Sequence, residues 1–422
     1  MQLLPGFRDF YPEDCARRNY ILSRWREVAR RYGFVEYDGP VLEPYELYQK
    51  KSGGELVGQL FDFVDKGGRH VAMRPEMTPT LARMVAARER DFKKPLKWFC
   101  IPQFFRYEKQ QRGRLREFYQ LNCDIIGEAA PSADAELLAV LIDLLRSFGL
   151  QKEDFVVRVS DRNAWTQFTG ARGVAPERLL DFLAVIDKLE RAPREETARK
   201  LADFGVSIEA VEQFLEDPAA EATGLKTLTE DLAARGLDGF VELDLRIVRG
   251  LAYYTGFVFE VFDRNKKERA LAGGGRYDKL LSLMSDGKVG LPALGFGMGD
   301  VVLDNLLRET PAAAALCQAW IAQQHAVDLY VVIAQEERRA QALGLVQQLR
   351  DWGYRVDYPL APLKIGKQFQ AAENLGASAA VLLGEEWPQL KLKTLATRAE
   401  ILLHRDELRT HLEQILGATT RP

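Results

Sequence analysis

The chain has 422 residues, more than a single core holds, because cores stop growing at about 250–300 residues; two or three domains are expected. Hydrophobic residues make up 47% and charged residues 28%, the mix of a soluble globular protein, and no apolar run approaches the ~20 residues that span a bilayer. The net charge of −3 gives no global pull toward nucleic acid, so a polyanionic partner has to be met by local patches.

The first residues, "MQLLPGFRDFYPED", read as neither a secretory signal nor a transit peptide. The four cysteines, with no C-x-x-C pair, read as reduced thiols of a cytoplasmic protein. The four histidines are scattered and read as surface or capping residues rather than metal ligands.

In chain order, residues 13–32 carry Ile21, Trp25, Val28, Ala29 and Tyr32 at helical spacing, with Gly33 to end the helix. Pro40 and Pro44 keep the next stretch extended. Residues 61–76 alternate about Gly67-Gly68, the pattern of a hairpin. A helix then begins with Thr78 as N-cap and Pro79 at the first helical position. "LKWFCIPQFFRYE" and "EFYQLNCDIIG" are strand candidates joined by a basic loop, and a helix is expected over 135–147.

Residues 165–238, rich in Ala, Leu, Glu and Arg, read as helical, and strand character returns from residue 240. "PAAAALCQAW" near 311–320 reads as a linker. Beyond it, strands at 328–333, 354–358, 379–384 and 390–394 alternate with helices at 337–351, 364–376 and 405–416, an α/β module.

Five strings are candidates for chemistry. In 105–127, Arg106, Lys109, Arg112, Arg114 and Arg116 crowd one loop with Glu108 and Glu117. Guanidinium forks can hold a polyphosphate there, or the loop is a solvated hairpin tip. Gln120 and Asp124 share a face of one strand, facing either a ligand or an internal polar network. Glu76, beside a helix start, either binds an amine or favours the helix dipole.

In "RGLAYYTG", 249–256, Arg249 calls for an anion, and alternation sends Tyr253 and Tyr254 to opposite faces. "AGGGRYDKL" is a tight turn or a close backbone approach, followed by Arg276 and Tyr277. "LGFGMGDVVL" has the wrong glycine spacing for a dinucleotide fold.

Taken together and in this order, the strings resemble the class II aminoacyl-tRNA synthetases, and within them the histidyl-tRNA synthetase family, over nearly the whole chain. "LPGFRDFYPED" resembles that family's N-terminal signature, the segment around Pro40 its motif 1, and "FRYEKQQRGRLREFYQ" its motif 2. "RGLAYYTG" and "AGGGRYD" resemble its two histidine signatures.

The resemblance implies an α+β catalytic domain on an antiparallel sheet (1–160 and 239–310), a helical insertion (161–238), a linker (311–326) and an α/β anticodon-binding domain (327–422). It implies ATP with Mg²⁺, L-histidine and tRNA(His) as partners, a homodimer formed through motif 1, and no membrane. Glu76, Thr78 and Gln120 would hold the histidine ammonium, Asp124 and Tyr254 the imidazole, with Tyr253 also among the histidine-binding residues and Tyr277 closing the pocket. Arg249 would sit on the histidine carboxylate and the α-phosphate with Arg106; Glu108, Arg114 and Arg276 would serve ATP. Lys109, Gln110 and Gln111 would meet the tRNA acceptor end.

One departure stands out. The family's motif 3 ends in an arginine that grips the outer phosphates of ATP, whereas Val302 occupies that position here. Arg114 or Arg276 would have to substitute, or ATP activation is impaired. The rival implied by the same resemblance is a non-catalytic paralogue, the histidine-sensing regulatory subunit of ATP phosphoribosyltransferase.

Overall fold

The computed structural model describes residues 2–49, 57–109, 111–218, 222–248, 253–265, 267–325 and 327–416. The chain divides into two compact units, Met1–Cys317 and Gln318–Pro422.

In the first unit, the helix Pro12–Arg31 has Pro12 in its first turn with Glu13 and Asp14, and Arg30 and Arg31 in its last, both charge pairs opposing the macrodipole. It buries Tyr20 and Trp25 completely, and Gly33 at φ 76° ends it in a conformation that L side chains rarely adopt. Strands β1 (Val35–Glu36), β2 (Leu42–Pro44), β3 (Asp62–Val64), β4 (His70–Met73), β5 (Leu96–Cys100), β6 (Gln103–Phe105) and β7 (Glu117–Ile126) follow, then β8 (Phe155–Asp161), β9 (Val241–Leu243), β10 (Phe257–Asp263), β11 (Ala272–Arg276) and β12 (Ala293–Gly299).

Nine of these form one sheet in the order β1-β5-β7-β12-β11-β10-β8-β9, with β6 also on β7. Its interior pairings are antiparallel; only the outer pairs β1·β5 and β8·β9 are parallel. The hairpin expected at 61–76 forms as β3 and β4, and β2 joins it in a separate three-stranded sheet. The single strand expected at 96–108 is broken into β5 and β6 at Ile101-Pro102, since proline cannot donate to the ladder.

The helix after β4 runs Thr78–Arg88. Thr78 is its first residue rather than its cap: Met77 holds the cap position, with no side-chain cap bond. The helix Ser132–Arg146 lies beneath the sheet with an almost wholly buried apolar face.

Between β8 and β9 come the helices Arg162–Gly170, Leu179–Ile186, Arg194–Ala202, Ile208–Glu216 and Lys226–Ala234. They pack around Trp165, Phe168, Phe182 and Phe214, and Asp161 caps the first by accepting from Asn163 N at 2.9 Å. The segment 244–248 is a turn, not the strand its sequence suggests. The stretch expected as a linker is a helix, Pro311–His325; its alanines make it a good helix former.

The second unit carries β13 (Leu329–Ile333), β14 (Val356–Asp357), β15 (Ala379–Leu383), β16 (Gln389–Thr394) and β17 (Glu400–His404) in the order β14-β13-β15-β16-β17. The first three are mutually parallel, the last two antiparallel. Gln368, wholly buried, accepts from Ile333 N and donates to Ile333 O, both at 2.8 Å, closing the end of β13. Strand β17 is an addition to the sequence reading.

Candidate active site

A cavity of about 1200 Å³ opens on one face of the large sheet. Its floor is set by strand alternation: Gln120, Asn122 and Asp124 of β7 all face it. The neighbouring strand is glycine-rich for a steric reason. In β12, Gly295 lies opposite Asp124, and a β-carbon there would collide with the Asp124 carboxylate and come within 2.9 Å of Cys123 O. A β-carbon on Gly297 would come within 2.8 Å of the Gln120 side chain. The glycines that fail as a dinucleotide motif thus leave room for two polar side chains to lie across the sheet.

Asp124 is 5% exposed and accepts a short hydrogen bond from the Tyr277 hydroxyl. Burial first, then the Asp124 carboxylate, pushes the Tyr277 phenol well above its usual range, so Tyr277 stays a donor. Tyr253 and Tyr254 both line the cavity, with ring centroids 4.9 Å apart. The expected opposition of the two tyrosines fails because they precede β10 rather than lie in a strand. Buried Arg162 places them: Nε and Nη2 donate to Val248 O at 3.0 and 2.8 Å, and Nη1 donates to Tyr254 O at 3.0 Å. It thereby ties both flanks of the 249–252 stretch.

Glu76 and Thr78 line the cavity from the β4–helix junction. Arg106 follows β6, donates from Nε to Pro75 O at 2.9 Å and lies 5.2 Å over the Phe118 ring. Burial lowers the affinity of its guanidinium for the proton, with Glu76 and Glu108 opposing. Glu108, buried, pairs closely with Arg114 and lies 3.9 Å from Arg106. Arg114 also lines the cavity.

Other expected residues lie elsewhere. Arg276 is turned away from the cavity: it pairs with Asp134 at 2.8 Å and donates to Glu128 O and Ala130 O at 3.1 and 2.9 Å. Its placement among the ATP residues is therefore corrected; a glycine run before an arginine suggested a phosphate, but a buried carboxylate is the anion it meets. Lys109 and Gln111 are exposed on the motif 2 loop. Arg249 and Gln110 lie outside the described residues.

Sequence reasoning missed Asn122, although a period of two from Gln120 to Asp124 passes through it. It also missed Asp300, which is 3% exposed. Asp300 accepts from Arg8 Nη1 at 2.9 Å and from Tyr119 N at 3.0 Å, while Arg8 Nη2 donates to Glu117 at 2.7 Å. Burial pushes the Asp300 carboxyl up to about 6 against the pull of Arg8. Asp300 thus joins the N-terminal signature to β7. Val302 forms part of the cavity wall. Among the described residues, no group of three or more His, Cys, Asp or Glu side chains is arranged to hold a metal ion.

The family model described as histidyl-tRNA synthetase matches residues 6–299. The chain belongs to the histidyl-tRNA synthetase family. The model described as anticodon binding domain matches residues 328–415. The chain is 44% identical to the histidine–tRNA ligase of Opitutus terrae, over 96% of this chain and 97% of that one. It is 36% identical to the ligase of Leptospira biflexa, over 93% and 92%. Its fold matches the crystal structure of histidyl-tRNA synthetase from Nostoc with a TM-score of 0.75, at 22% identity and over 98% and 99% of the two chains.

The fold expected from the sequence, a synthetase body on an antiparallel sheet followed by an α/β anticodon-binding module, is the fold of this family. Among the described residues, no helix is long and apolar enough to cross a membrane.

Proposed function

We propose that this chain ligates L-histidine to tRNA(His) in two steps, through a histidyl-adenylate made from ATP. The observation that carries the reading is the buried Asp124 carboxylate, held by Tyr277 on the cavity floor beside Tyr254. An imidazole offers two nitrogens to such a pair, and an analogue lacking them leaves buried polar groups unmatched, which can cost 10⁴-fold or more in specificity, roughly.

Glu76, Thr78 and Gln120 supply oxygen acceptors for the three N–H donors of the histidine ammonium. In the first step a histidine carboxylate oxygen attacks the α-phosphorus of ATP and pyrophosphate leaves. In the second, the terminal ribose hydroxyl of the tRNA attacks the acyl carbon and AMP leaves. Neither step needs a protein nucleophile. Catalysis is positioning together with cancellation of charge at the crowded phosphorus.

Arg106 and Arg249 neutralise the α-phosphate, and Arg114, with Glu108 holding it in place, faces the outer phosphates. Mg²⁺ enters as the counter-ion of ATP and supplies further charge neutralisation; the cavity carboxylate Glu108 is already paired with arginine. Lys109, Gln110 and Gln111 of the motif 2 loop meet the acceptor end of the tRNA. Residues 1–160 and 239–310 form the ligase body, 161–238 the inserted helical domain, 311–326 the connection and 327–422 the tRNA-binding module. The chain works as a homodimer in the cytoplasm.

Val302 is the one observation that favours the regulatory paralogue, since valine cannot bind phosphate. The anticodon-binding match and the full-length ligase relatives weigh against it. Histidine-dependent exchange of pyrophosphate into ATP separates the two. Exchange supports the ligase; histidine binding with no exchange supports the regulatory reading.

A further inference from the structure

The end of the cavity near Val302 has a charge deficit. Gly299, Val301 and Val302 form its wall without a cation, Asp300 is engaged by Arg8, and Arg276 is held by Asp134. An outer phosphate arriving there needs positive charge from another element.

Most arginines around the cavity already face an acid. Arg106 and Arg114 share Glu108; Arg158 and Arg246 lie against Glu190 and Asp244; Arg191 and Arg264 have Asp187 and Glu242. Arg269 differs. Among the described residues it is the cavity-lining arginine with no carboxylate partner, and its hydrogen bond runs to the neutral amide oxygen of Gln111.

The position of Arg269 fits the deficit. Gln111 is two residues from Gly113, and a β-carbon on Gly113 would come within 3.1 Å of Val302 Cγ2. The loop tip that Arg269 touches therefore lies against the valine itself. The adjacent Glu268 fixes the segment from two sides: it accepts from Arg112 Nε at 2.8 Å and from Asn305 Nδ2 at 3.2 Å, and Asn305 is on the helix Asp300–Glu309 that also carries Val302. Arg112 bridges on to Glu309 at 2.7 Å.

We propose that Arg269 supplies the positive charge to the outer phosphates of ATP that Val302 cannot, its guanidinium passing from the Gln111 amide to a β- or γ-phosphate oxygen. A guanidinium binds a phosphate more strongly than a neutral amide, because both partners are charged and the fork matches two oxygens. The exchange also releases Gln111 as the loop engages ATP. This role rests on the ligase reading and adds a residue to it.

The test compares wild type with R269Q in the full chain. Histidine-dependent pyrophosphate exchange gives KM values, and calorimetry gives the affinities for ATP and AMP. Arg269 is exposed, so the substitution leaves the fold intact, which an unchanged KM for histidine verifies. R269Q is expected to weaken ATP by about 10- to 100-fold, the range of a lost charged hydrogen bond, and to leave AMP, which lacks the outer phosphates, unchanged. An ATP affinity equal to wild type, or equal losses for ATP and AMP, overturns the assignment. If wild type shows no exchange, the ligase reading fails, and the ATP-against-AMP comparison still decides the role of Arg269.

Discussion

The Tyr277 hydroxyl donates to the Asp124 carboxylate across the cavity floor, joining β7 to the residue that follows β11. The bond engages Asp124 Oδ1, and Asp124 lines the cavity. Removing the donor in Y277F is expected to raise the KM for histidine in pyrophosphate exchange by roughly tenfold while the KM for ATP stays near wild type. D124N, which removes the charge, is expected to raise it by roughly 10- to 100-fold. Equal effects on both substrates would mean that the pair only supports the fold.

The two floor glycines should differ in severity. A methyl on Gly297 meets the end of the flexible Gln120 side chain, whereas one on Gly295 meets Asp124 and the Cys123 backbone. G297A is therefore expected to weaken histidine with little change in melting temperature. G295A is expected to weaken histidine and also destabilise the protein by about 1–3 kcal/mol, the range for overpacking. Denaturant unfolding beside exchange kinetics gives both readings.

How much of this was legible in the sequence depends on where each residue's partner lies. The alternation of β7 exposed Gln120 and Asp124 directly, because face assignment in a strand needs only local spacing. The same rule contains Asn122, which was passed over. The role of the β12 glycines was invisible, since the side chains that need their space sit on β7, more than 160 residues earlier. Arg276 misled for the same reason: its partner Asp134 lies on a distant helix. Alternation alone puts the tyrosines at 253 and 254 on a strand, yet Arg162, from outside the motif, holds the Tyr254 carbonyl. Strand β17 escaped because it is an edge strand whose Ile401 and Leu402 are exposed, which erases the apolar–polar alternation.

Arg8 neutralises two buried carboxylates at once, Glu117 and Asp300. R8M leaves both without their cation, so it is expected to destabilise the protein by about 3–5 kcal/mol at neutral pH. D300N keeps an acceptor for Tyr119 N and should cost much less. Urea unfolding of the two variants checks the ranking; equal losses would show that the charge of Asp300 matters as much as Arg8.

The Asp134 carboxyl is pushed up to about 7, by burial first and against the pull of Arg276. A raised acid binds more protons folded than unfolded, so its contribution to stability falls as pH rises from about 4 to about 7 and is flat beyond. D134N removes this titration. The stability of wild type relative to D134N is expected to decline across that window by on the order of 2–4 kcal/mol. Melting curves of both proteins at a series of pH values supply the comparison, and a difference independent of pH would contradict it.

The claim on which the rest depends is that the floor of the cavity recognises an imidazole ring. A crystal structure of the chain with L-histidine bound tests it most directly. One ring nitrogen is expected within about 3 Å of the Asp124 carboxylate and the other facing Tyr254, with the ammonium among Glu76, Thr78 and Gln120. A histidine bound elsewhere, or one whose ring points away from Asp124, would contradict it.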